Sequence, residues 1–281
     1  MEWNAHELNT GFEWQPTRGP YRRITQQQAE SYNERGFFLF EDAFDADTVA
    51  EIVAEIDPFE AQAEAFLRTR EDGKLFISRA DEITFAPLLV SRSERLRAFC
   101  SGEVFRDLVH DLVGPDVRLY WDQSVYKKPG TRDPFPWHQD NGYTYLEPQQ
   151  YLTCWVALTD TDESNGCPWV LPEIHHRGTL EHRMSDLGWV CADDPPGAVP
   201  LPVRAGSIAV FSSLTPHATG PNTSDSIRKS YIVQFAPDGA AIITRDEGGS
   251  LVETPAADAG HQFEILQGGR SPDAATLGNA T

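Results

Sequence analysis

His138-Gln139-Asp140 and His217 stand far apart in a stretch of strand-like sequence, and a fold in which they share one ion must bring separate strands together. Residues i and i+2 of a strand point to the same side. The triplet therefore offers an imidazole and a carboxylate to one point in space. His217 has to arrive from a second strand, and the apolar run Gly206–Phe211 lies just upstream of it. Two imidazoles and one carboxylate bind Fe(II) by one face and leave three octahedral positions for a bidentate co-substrate and O2. Arg228, beyond the second histidine on a β-rich run, is placed to anchor an anionic co-substrate. His175, His176 and His182 lack this combination of an upstream apolar strand and a downstream arginine, so His217 is the best second imidazole.

The texture around the motif sets the fold class. After Pro115 short strand-like runs alternate with turn residues: Val117–Trp121, Tyr151–Leu158, Trp169–Leu171, Gly206–Phe211 and Lys229–Phe235, with Pro129-Gly130 and Asn165-Gly166 as turns. Such a set predicts a mainly β chain with flanking helices around a double-stranded β-helix, a jelly roll of cupin type. The first 115 residues read as mainly helical. Thr25 caps a helix that Gly36 ends, Asp45 begins another, and a third pattern runs from Ser93 to Leu112. A single domain over 1–281 follows, with 1–115 packing on a 116–237 barrel and a 238–281 tail rich in Ala, Gly and Asp, ordered in part at best. Residues 180–200 read as a long loop over one mouth of the barrel.

Composition narrows the function. A net charge of -20 repels phosphate backbones and argues against nucleic acid. No apolar run reaches the roughly 18–20 residues of a membrane span, and the N-terminal residues lack the pattern of a secretory signal. A cytoplasmic protein with a small-molecule substrate is the expectation, as a monomer or a homo-oligomer. Four cysteines without a CxxC pair fit a reduced setting, with Cys100 and Cys154 in apolar core-like runs.

From Val117 to Pro237 the chain resembles the phytanoyl-CoA dioxygenase family of Fe(II)/2-oxoglutarate oxygenases. The likeness rests on the His138/Asp140 triplet, Cys154–Leu158, Asn165–Pro172, His217–Asn222 and Arg228-Lys229, with Gly36-Phe37-Phe38 ahead of them. It implies that His138, Asp140 and His217 bind iron and that Arg228 forms a bidentate salt bridge to the distal carboxylate of 2-oxoglutarate. It also implies that Thr219 donates a hydroxyl to that carboxylate and that Trp155 packs beside the co-substrate. Tyr126 and Ser124, on the strand before the triplet, are further candidates for co-substrate contact. Glu173-Ile174-His175 departs from the family's usual Gly-Ser/Thr-His, which points to a different substrate at that mouth. Asp140 argues against halogenation, because halogenating relatives carry a small residue there.

The resemblance implies hydroxylation of an unactivated C–H bond, with release of succinate and CO2. Asn141, Tyr143, Tyr145, Trp169 and the 180–200 segment are candidate pocket residues, and Arg68, Arg70, Lys74 and Arg79 a candidate basic patch. Two other readings stand beside this one: a non-catalytic metal-binding jelly roll, and a mononuclear-iron enzyme that does not use 2-oxoglutarate. Desaturation, cyclisation, epimerisation and endoperoxidation share the same ligand set as hydroxylation.

Overall fold

The computed structural model describes residues 3–272. Its centre is a large antiparallel sheet with the strand order Phe37–Phe40, Ile208–Ser212, Leu152–Ala157, Arg228–Pro237, Val117–Lys127 and Ile83–Pro87. Two short strands, Ser78–Arg79 and Lys74–Leu75, extend it beyond Ile83–Pro87. Facing it is a four-stranded sheet in the order Val199–Pro200, Pro168–Val170, His217–Thr219 and Phe135–His138. Two facing antiparallel sheets of this kind form the predicted jelly roll.

Both faces of the large sheet are buried, and the period-2 alternation of each strand sorts its side chains between two cores. Val125, Trp155, Ala157, Phe211 and Ile232 point into the space between the sheets. Their neighbours Tyr126, Cys154, Val156, Val210, Tyr231 and Val233 point the other way, into a core shared with the helices. Both faces being covered is why these strands read as unbroken apolar runs rather than alternating ones.

The helices begin where the sequence marks them. Helix α1 (Gln26–Arg35) has a capping box between Thr25 and Gln28 and ends at Gly36, whose φ of 88° suits a residue without a Cβ. Helix α2 (Ala46–Arg68) starts from Asp45, whose side chain accepts from the Thr48 N–H. The expected helix from Ser93 to Leu112 is two helices, α3 (Glu94–Cys100) and α4 (Glu103–Leu112), broken at Ser101-Gly102. Gly102 serves as the N-cap of the second, a role its backbone freedom favours.

The remaining differences lie in segments whose strands pair with distant partners. The helical N-terminal part also donates strands, Phe37–Phe40 and Ile83–Pro87, to the large sheet. Residues 180–200 are not a plain loop: Arg183–Ser185 and Gly188–Val190 form a hairpin, and Val199–Pro200 pairs with Val170 and Trp169. The tail folds over much of its length. Ala241–Arg245 and Leu251–Pro255 form a hairpin, and Glu264–Leu266 pairs with the start of the Val117–Lys127 strand. Residues 273–281 of the tail lie outside the described residues. Among the described residues no helix is long and apolar enough to cross a membrane.

Candidate metal centre and co-substrate cavity

His138 is the last residue of its strand, and His217 is the first of the strand beside it. The two are direct register partners. Asp140 is not in a strand: it opens a short 3-10 turn, Asp140–Gly142, directly after the Phe135–His138 strand. The i, i+2 alternation is therefore not what aims it. The turn does so, and the outcome is the convergence that the motif requires. The ligand atoms of His138, Asp140 and His217 lie within 4.8 Å of one another. Asp140 Oδ1 is 3.8 Å from Nε2 of His217 and 4.0 Å from Nε2 of His138, close enough for one ion to bridge each pair. Among the described residues this is the one grouping of three such ligands.

Both imidazoles are prepared for a metal. Nδ1 of His138 lies 2.8 Å from the Pro136 carbonyl, and Nδ1 of His217 lies 3.0 Å from the Thr215 carbonyl. A carbonyl accepts only, so each Nδ1 carries the proton and each Nε2 presents a lone pair. Burial, and for His138 also the neighbouring His217, lowers the pKa values to about 3 for His138 and about 4 for His217. Both rings are thus neutral at pH 7, and their contacts with Asp140 are not ion pairs. Burial raises the Asp140 carboxyl above its ordinary value. Its Oδ2 accepts from Thr153 Oγ1 at 2.5 Å, which leaves Oδ1 for the ion.

Beside the triad lies a cavity lined by Gln123, Thr153, Trp155, Phe211, Thr219 and Arg228. Arg228 is wholly enclosed at 1% exposure. Its Nη1 donates to the Val125 carbonyl and to Ser230 Oγ, whereas Nε and Nη2 have no partner among the described residues. Its guanidinium carbon sits 5.4 Å from the centre of the Trp155 ring. Burial lowers its pKa to about 10, so the group stays cationic at pH 7. Two orphaned donors on a buried cation are costly, and a carboxylate entering the cavity would satisfy both. This donor set fits a dicarboxylic co-substrate.

The structure thus brings His138, Asp140, His217, Arg228, Thr219 and Trp155 around one space. It does not bring Ser124 or Tyr126 there. Ser124 Oγ donates to Glu60 and Tyr126 Oη to Asp57, both on α2, behind the large sheet. The reason is register. Gln123, Val125 and Lys127 occupy the inward positions of that strand, so the even-numbered residues between them face the helices. Burial pushes the Glu60 carboxyl up to about 7 in that outer core.

Other candidates turn out to have structural duties. Asn141 bonds Leu146 and Thr179, and Tyr145 Oη donates to the Leu8 carbonyl. Tyr143 does approach the site, its ring 5.1 Å from that of His138. Trp169 lies in the four-stranded sheet opposite Ala218 and Pro200 and is not among the residues that line the cavity. The candidate basic patch is neutralised in part: Arg68 pairs with Glu64 and Asp81, and Arg79 with Glu82 and Asp133.

Gln139 and His182, which are not ligands, hold the triplet in place. The side chain of Gln139 points away from the ligands and ties Gly178, Leu180 and Leu214 together. Its own N–H donates to Nε2 of His182, and a Cβ on Gly142 would overlap that ring at 2.0 Å. An alternation that starts at Arg228 and its strand partner Lys127 would have found Gln123 and Val125, but Gln139 and His182 carry no periodic signal.

Residues 32–230 match the phytanoyl-CoA dioxygenase (PhyH) family. The chain belongs to that family. Phytanoyl-CoA dioxygenase domain-containing protein 1 of Mus musculus is 28% identical, over 75% of this chain and 90% of its own. A probable alpha-ketoglutarate-dependent hypophosphite dioxygenase of Stutzerimonas stutzeri is 26% identical, over 75% of this chain and 78% of its own. The fold is also that of the non-heme alpha ketoglutarate dependent carbocyclase SnoK from nogalamycin biosynthesis, with a TM-score of 0.66 at 24% identity over 80% of this chain and 89% of that one. Family and site together make the chain an Fe(II)/2-oxoglutarate-dependent dioxygenase rather than a non-catalytic binding module.

Proposed function

We propose that His138, Asp140 and His217 hold Fe(II), and that Arg228 and Thr219 clasp the distal carboxylate of 2-oxoglutarate beside it, with Trp155 packed against the co-substrate. The observation that carries the reading is the pair of donors without partners among the described residues on the buried Arg228, a residue that lines the cavity the three ligands border. With O2, the iron and co-substrate supply the power to oxidise an unactivated C–H bond, releasing succinate and CO2. The chain's own residues position and exclude. Thr153 fixes the Asp140 carboxylate, the carbonyls of Pro136 and Thr215 fix the imidazole tautomers, and Phe211 and Trp155 keep the cavity dry.

The substrate of this proposal is a small or medium-sized metabolite, hydroxylated at carbon. The names of its relatives span varied chemistry: one is a probable hypophosphite dioxygenase, and a structural neighbour is a carbocyclase from nogalamycin biosynthesis. Neutralisation of Arg68 and Arg79 by nearby acids speaks against a coenzyme A thioester. A cytoplasmic setting belongs to the same proposal, since Cys100, Cys154, Cys167 and Cys191 are all free thiols. The test is a metabolite screen for substrate-stimulated succinate release. Stimulation in the wild type and its loss in Asp140→Ala supports the reading, and stimulation that survives in Asp140→Ala overturns it.

A further inference from the structure

Lys127 closes the Val117–Lys127 strand directly opposite Arg228. It is fully buried, and no carboxylate is hydrogen-bonded to it among the described residues. Its Nζ lies 2.6 Å from the Gly220 carbonyl, 3.2 Å from Thr219 Oγ1 and 3.5 Å from the Thr219 carbonyl. Enclosing an ammonium without an acid is expensive, so such a group needs a reason to be there. Burial, with Arg228 close by, pushes its pKa well below the ordinary lysine value. An anion arriving nearby favours the charged form again.

The direction of the contact with Thr219 is informative. In its charged form, which an anion nearby favours, the lysine has donors only, so Thr219 Oγ1 then accepts from it and the threonine's own proton points elsewhere. Thr219 lines the cavity together with Arg228, whose Nε and Nη2 also lack partners among the described residues. Among the described residues nothing accepts the Thr219 hydroxyl proton.

We propose that Lys127 is a positioning residue for the co-substrate: it holds Thr219 Oγ1 as an acceptor, so that the threonine O–H joins Arg228 Nε and Nη2 in facing the far carboxylate of a bound 2-oxo dicarboxylic acid. This rests on the reading of Arg228 given above. Two buried cations behind one hydroxyl make that end of the cavity selective for a ligand with a second negative charge. A 2-oxo acid of the same length that lacks the distal carboxylate gains nothing from it.

The test is calorimetric titration of the full chain, loaded with Fe(II) without oxygen, with 2-oxoglutarate and separately with 2-oxopentanoate. In Lys127→Met, affinity for 2-oxoglutarate falls about tenfold or more, the scale of a hydrogen bond to a charged group, while that for 2-oxopentanoate is unchanged. Thr219→Val shows the same selective loss, and the double variant is little worse than either single one, as coupled residues require. Equal weakening of both ligands, or a folded Lys127→Met with wild-type preference, overturns the proposal. Should Lys127→Met not fold, Thr219→Val decides alone, and unaltered preference there overturns it. A wild type that itself fails to prefer 2-oxoglutarate refutes the reading of Arg228 and the proposal with it.

Discussion

His138 and His217 face each other across paired strands with ring centroids 4.1 Å apart, each with its Nδ1 at a backbone carbonyl two residues back. Strand pairing thus sets the separation of the two imidazoles and backbone carbonyls set their tautomers, so only the carboxylate needs a side-chain partner to fix it. Thr153 is that partner. Thr153→Val is expected to lower Fe(II) affinity by about ten- to a hundredfold while leaving the fold intact. Metal titration alongside thermal melting checks this, and unaltered affinity would show that the turn at Asp140–Gly142 holds the carboxylate unaided.

Arg228 is expected to serve ligand binding more than folding. Arg228→Met removes a buried cation with two unsatisfied donors and keeps an unbranched side chain of similar length, so the melting temperature should change little. Affinity for 2-oxoglutarate should fall by about a hundredfold or more, because the partner carboxylate is left buried and unpaired. A large loss of stability with affinity preserved would assign Arg228 to the core.

His182 gives a pH signature. Burial lowers its pKa to about 4 from the ordinary 6.5. Between those values the unfolded chain binds the extra proton, so this histidine's contribution is complete above pH 6.5 and is lost as pH falls toward 4. Relative to His182→Gln, the metal-free wild type should lose up to about 1.4 kcal/mol per pH unit within that window. The comparison isolates one imidazole from Glu60, whose raised pKa acts in the opposite direction. Parallel pH profiles for the two proteins would contradict it.

Much of this was legible from residues 117–237. The strands with both faces covered announced themselves as apolar runs, and helix starts at Thr25 and Asp45 followed from capping chemistry. What escaped depends on register or on distant partners. Ser124 and Tyr126 lie one residue out of phase with the cavity, because a strand with polar residues on both faces, as at Asp122-Gln123-Ser124, does not say which face turns inward. The break at Gly102 hides within a continuous helical periodicity. The hairpin at Arg183–Val190 and the tail strands consist of short segments that gain stability from pairing, not from their own sequence. Nothing in the sequence distinguishes Lys127 from any polar residue at a strand end, and only its enclosure marks it out.

The central claim is an iron site with room for a chelating, dicarboxylic co-substrate held by Arg228. Its most direct test is anaerobic titration of the Fe(II)-loaded chain with 2-oxoglutarate, followed by visible spectroscopy. The account predicts a saturable charge-transfer band in the wild type that is lost in Asp140→Ala and needs far more 2-oxoglutarate in Arg228→Met. Tight iron binding with no band at any 2-oxoglutarate concentration would contradict it.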